Sequence, residues 1–104
     1  MSTFHPLIAQ CDLHDGLRRV YSLAGITLLL VQEAGQVYLL ENKCGHFGVP
    51  LDKGHIEGCT IRCPSHGIVF DMNDGRIVKS RHDQCDPVRV FSIARQGDWL
   101  GVVR

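Results

Sequence analysis

Apolar positions fall in short runs broken by turn-forming clusters. Phe4 to Ala9 reads as an opening strand, Asp12-Leu13-His14-Asp15-Gly16 as a turn, and Arg18 to Leu23 as a second strand that Ala24-Gly25 turns. Ile26 to Glu33 and Gln36 to Glu41 are rich in β-branched residues, Leu and Tyr, and Ala34-Gly35 between them predicts a hairpin. That hairpin delivers the chain to Cys44. Further on, Gly54, Gly58 and the run Thr60-Ile61-Arg62 predict a small strand feeding Cys63, and Ile68-Val69-Phe70 leads away from it. Met72-Asn73-Asp74-Gly75 is a strong turn signal before Arg76-Ile77-Val78. Val88 to Arg95 and Trp99 to Val103, joined at Gln96-Gly97-Asp98, make a last pair. Strands dominate and no helical period runs for about 10 residues, so the pattern predicts an all-β sandwich or barrel. Tyr21, Tyr38, Phe91 and Trp99 are expected to be core or sheet-face aromatics.

Composition narrows the class. A length of 104 residues suits one domain with a modest core, and 44% hydrophobic with 21% charged residues marks a globular chain. Lys plus Arg equals Asp plus Glu at 11 each, so nothing favours nucleic acid or an anionic membrane, and a protein partner is expected. The longest apolar run, Ile26 to Val31, falls far short of a membrane span, and Met1 to Pro6 has no signal-peptide character. A soluble, cytoplasmic protein is the expectation. No repeat, low-complexity tract or linker divides the chain.

Chemistry concentrates between Asn42 and Phe70. Cys44-Gly45-His46 and Cys63-Pro64-Ser65-His66 each carry one thiol and one imidazole, with 16 residues between His46 and Cys63. Two thiolates and two neutral imidazoles suit zinc or an iron-sulfur centre and do not suit Mg or Ca. Structural zinc sites usually pair like with like, as Cys-x2-4-Cys and His-x3-5-His. Here unlike donors are paired twice, which fits a dinuclear centre better, each loop giving its Cys to one metal and its His to the other. A zinc site and a mere core packing of these four side chains stay open on the residues alone. Gly45, Gly48 and Gly67 are expected to let the backbone turn tightly beside a cofactor, and Pro64 to stiffen the second loop. Cys11, Cys59 and Cys85 make the cysteine total odd, against a disulfide framework, and read as apolar fillers or loop residues. His5, His14, His55 and His82 lie in polar or turn contexts without a ligand role, though His55 is close enough to the loops to sit on a docking face.

These residues, together with Gly48, Pro50-Leu51, Gly54, Gly58, Phe70-Asp71 and Asp74-Gly75, resemble the Rieske 2Fe-2S signature, in which two His replace two Cys on one iron. The resemblance implies a single Rieske domain over 1–104, a β-sandwich or barrel with an inserted cluster-binding subdomain at about 42–70. It implies one [2Fe-2S] cluster, with Cys44 and Cys63 on the buried iron and His46 and His66 on the outer one. Two Fe(III), two sulfides, two thiolates and two neutral imidazoles sum to zero charge, where four thiolates would leave two negative charges, so such a centre accepts an electron more readily. The implied role is a Rieske-type ferredoxin carrying electrons from a reductase to a terminal oxygenase, with no catalytic residues of its own, because 104 residues leave no room for the mononuclear iron domain of an oxygenase. Phe47, Val49, Pro50 and Pro64 would form an apolar rim around the histidines. The alternatives are a small subunit of a larger reductase resembling nitrite reductase, a class that often lacks the ligands, and a structural zinc module. High-potential relatives carry a loop-joining disulfide at the positions of Val49 and Ser65, and hydroxyl donors at those of Ile68 and Phe70; their absence implies a low potential.

Overall fold

A computed structural model describes residues 2–45, 48–80 and 85–104. Among these residues, ten strands and one 3-10 turn, Gln10–Asp12, follow one another: β1 (Phe4–Ala9), β2 (Arg18–Leu23), β3 (Ile26–Glu33), β4 (Gln36–Glu41), β5 (His55–Glu57), β6 (Thr60–Arg62), β7 (Val69–Asp71), β8 (Ile77–Lys79), β9 (Ala94–Gln96) and β10 (Trp99–Val103). They form three antiparallel sheets, ordered β1-β10-β9, β2-β3-β4 and β5-β6-β7-β8. The all-β expectation holds.

The β3-β4 hairpin is the middle layer. Successive side chains of a strand point to opposite faces. Leu29 and Val31 of β3, with Tyr38 and Leu40 of β4, join a core that includes Cys44, Cys63, Ile61, Ile68 and Phe70. Leu28, Leu30 and Leu39 point the other way, against Ile8, Leu100 and Val102. Because both faces are covered, all four residues from Leu28 to Val31 are at most 1% exposed, and the sequence there is uniformly apolar rather than alternating. This hairpin therefore gives the loop after β4 a rigid floor.

Two expectations need correction. Val88 to Arg95 is not one strand: only Ala94–Gln96 belongs to a sheet, and Val90 makes an isolated bridge to Leu40. The backbone of this segment is divided among different elements, with Val88 N-H donating to Gly75 O, Arg89 O accepting from Glu41 N-H and Phe91 N-H donating to Leu39 O. With residues 85–87 that lead into it, it is a strap, and its Val and Ile residues serve burial instead of a continuous ladder. Conversely, His55–Glu57 is a strand that its two polar ends concealed, held by the turn at Gly58 and paired in full to β6.

Candidate metal centre

The two Cys-bearing loops share one backbone scaffold. Cys44 N-H donates to Val49 O at 2.7 Å and Gly48 N-H to Cys44 O at 2.9 Å; Cys63 N-H donates to Ile68 O at 2.8 Å and Gly67 N-H to Cys63 O at 3.0 Å. In each loop the residue four after the cysteine is a glycine with φ near +70°, Gly48 at 70° and Gly67 at 69°. That conformation costs any residue with a Cβ roughly 1–2 kcal/mol, so the glycine closes both loops for the same reason.

The cysteines are brought together. Cys44 is 0% and Cys63 1% exposed, they lie in one core cluster, and no described cysteine is in a disulfide. His66 is half-buried with Nδ1 shielded from solvent, at a cleft of ≈ 290 Å³ that it shares with Arg62, Gly67, Lys79 and Ser80. His46 and Phe47 lie outside the described residues, as does His82. Of the expected rim, Pro50 and Pro64 are exposed and Val49 is half-buried. Ile68 and Phe70 are 0% exposed, so the positions where high-potential relatives carry hydroxyls are filled with packed hydrocarbon.

Two supports were not legible in the sequence. Asn42 is buried beside the first loop; its Oδ1 accepts from Leu51 N-H at 2.7 Å and its side-chain amide donates to Asp52 at 3.0 Å. Arg18 of β2 adds hydrogen bonds to the carbonyls of Asp52 and Gly54, at 2.8 and 2.6 Å. Loss of the Asn42 amide would leave a buried N-H unsatisfied, a cost of about 1–3 kcal/mol. The second support is the strap. Asp86 N-H donates to Gly45 O at 3.0 Å, and a Cβ on Gly45 would overlap the Asp86 carbonyl. Gly45 has no positive φ, so its need is close approach rather than the tight turn expected from sequence. Val88 crosses Gly75 equally closely.

Cys85, at the start of the strap, packs half-buried against the same core, and burial raises its thiol pKa, with Asp86 and Cys63 adding to the rise. Cys59 is half-buried at the turn between β5 and β6, where its carbonyl accepts from Met72 N-H, and Cys11 is exposed. His5 and His55 lie on strands and His14 just before a turn; His55 sits directly across from Arg62, the residue before Cys63, with its Nε2 3.7 Å from a Glu57 carboxylate oxygen. Two buried soft donors in matched loops, with an imidazole three residues after one of them, fit a thiophilic metal centre.

The family model for the Rieske [2Fe-2S] domain matches residues 3–92. Apoptosis-inducing factor 3 of Mus musculus is 39% identical over 64 residues, which are 62% of this chain and 11% of that protein, so the chain spans about a tenth of its length. The ferredoxin component of the naphthalene 1,2-dioxygenase system of Pseudomonas putida is 30% identical over 81 residues, 78% of this chain and 72% of its own. Among solved structures, the ferredoxin of carbazole 1,9a-dioxygenase from Nocardioides aromaticivorans IC177 superposes with a TM-score of 0.80 at 26% identity, covering 96% of both chains.

Proposed function

Because the chain belongs to the Rieske [2Fe-2S] domain family, we propose that it is a one-electron carrier, a Rieske-type ferredoxin that takes electrons from a reductase and passes them to a terminal oxygenase. Its cofactor is one [2Fe-2S] cluster. When bound, the cluster gains and loses a single electron; the rest of the function falls to the protein. We assign Cys44 and Cys63 as the ligands of the inner iron and His46 and His66 as those of the outer one. The buried thiols of the two matched loops, lying in one core cluster, are the observation that carries this reading.

In this reading the residues divide the work. The loop glycines fix the direction of the ligands. Asn42 and the strap hold the loops to the β3-β4 floor, so little rearrangement accompanies a change of charge. Leu51, Ile68 and Phe70 exclude water from the thiol side. His66 reaches the cleft, where an electron can leave over a short distance. The protein has no catalytic residue of its own, and its reaction partners are proteins met in small, transient interfaces. Residues 1–104 are a single domain with a cluster-binding subdomain at about 42–70, to which β8 adds an edge. Among the described residues no helix is long and apolar enough to cross a membrane, and we place the protein in the cytoplasm, where spare thiols stay reduced. The reading as a small subunit of a nitrite-reductase-like enzyme is weakened by the presence of both cysteines.

Anaerobic voltammetry tests the carrier reading. A reversible one-electron wave is expected toward the lower end of the roughly −150 to +300 mV span of such centres. Hydrogen bonds to cluster sulfur stabilise the reduced state, and neither the Ile68 nor the Phe70 side chain can donate one. Ile68→Ser with Phe70→Tyr should therefore raise the potential. No wave at all, or a wild-type wave near the top of the span, would contradict the reading.

A further inference from the structure

The small sheet that carries the second loop holds a cross-strand row with two cationic side chains. Residues paired directly across antiparallel strands project from the same face. His55 pairs with Arg62, Arg62 with Val69, and Val69 with Lys79, so one row crosses β5, β6, β7 and β8. Arg62 and Lys79 are exposed and flank Val69, which is only 9% exposed between them. Both also line the ≈ 290 Å³ cleft that His66 enters.

The acids of the same sheet are engaged elsewhere. Glu57 lies beside His55, at 3.7 Å, while Asp71 and Asp74 pair with Arg76. Among the described residues neither Arg62 nor Lys79 has a carboxylate partner. The whole chain is balanced, with 11 residues of each charge sign, so this local excess is not a share of a general positive charge.

We propose that Arg62 and Lys79 form the partner-docking site of this carrier, receiving a patch of carboxylates on the redox protein that exchanges electrons through His66. The proposal rests on the electron-carrier reading above. Exposed cations with no carboxylate partner among the described residues can meet a partner's carboxylates at little cost, and such complementarity raises the encounter rate and fixes orientation more than it raises affinity. That suits a carrier that must release its partner after each electron.

The test uses the loaded, reduced protein and two cobalt(III) oxidants. Each takes one electron and becomes cobalt(II) while the protein returns to its oxidised form, and no atom is transferred. Trisoxalatocobaltate is an anion with an outer face of carboxylate oxygens; hexaamminecobalt is a cation. At low ionic strength, Arg62→Gln with Lys79→Gln should slow oxidation by trisoxalatocobaltate about tenfold, within the range of electrostatic steering. Oxidation by hexaamminecobalt should not slow. The charge-matched control Arg19→Gln with Arg95→Gln, on the other two sheets, should stay near wild type. Poly-L-glutamate should slow the trisoxalatocobaltate reaction of the wild type and not of the double variant, whereas inorganic phosphate at matched ionic strength should have little effect. Equal slowing with both oxidants, an equal effect in the control, or phosphate acting as strongly as poly-L-glutamate would each overturn the proposal. Lys79→Gln alone reads the same direction if the double variant loads poorly. Failure of the carrier reading is separate: the wild type itself would then react with neither oxidant.

Discussion

Cys63→Ser protein is expected to purify with at least about tenfold less iron and acid-labile sulfide than the wild type. Perturbing residues one shell outside a metal site already costs roughly 10–100-fold in affinity, and here a proposed ligand is lost. Cys63 is 1% exposed and its loop is fixed by the Ile68 and Gly67 hydrogen bonds, so a replacement side chain stays where the thiol was. A serine hydroxyl is a poorer iron ligand than a thiolate. Cys44→Ser should behave alike, since Cys44 occupies the equivalent place in the matched loop. Cys59→Ser and Cys85→Ser should keep the visible spectrum. Both residues pack against the core cluster from its edge, and neither belongs to the repeated loop scaffold. Cluster loss in Cys59→Ser with retention in Cys44→Ser would show the ligands to be wrongly assigned.

Gly45→Ala should have the second largest effect. The added methyl meets backbone, the Asp86 carbonyl, which cannot rotate aside as a side chain could. Either the strap lifts or the first loop shifts, and we expect a loss of about 2–4 kcal/mol in denaturant unfolding of the loaded protein, with faster release of iron to a ferrous chelator. Gly16→Ala is the comparison. Gly16 has φ +87° with open space around it, so alanine there brings backbone strain of about 1–2 kcal/mol without a collision. Iron release no faster in Gly45→Ala than in Gly16→Ala would remove the strap from the account.

What could be read from the sequence was local. β3 and β4 match the expected Ile26–Glu33 and Gln36–Glu41 because a long apolar run, a two-residue turn and a second run leave few other arrangements. The short strands beside the site, β7 and β8, begin one residue later than expected, since three-residue strands carry little periodicity. The Cys and His residues stood out because donor type and spacing are written along the chain. The strap did not, because its contacts to Gly45, Gly75 and Glu41 join residues far apart in sequence, and Val88, Val90 and Ile93 give it the look of a strand. The same holds for the cationic row. His55, Arg62 and Lys79 become neighbours only once the register of four strands is known.

Ligation by two thiolates and two imidazoles is the central claim, and pulsed EPR of the dithionite-reduced protein, grown with and without 15N-labelled histidine, tests it most directly. The account predicts a signal with two strongly coupled histidine nitrogens that change with the label, one of them lost when His66 is replaced. A reduced signal with no such nitrogen coupling, or stoichiometric zinc with no signal in fresh anaerobic protein, would contradict it.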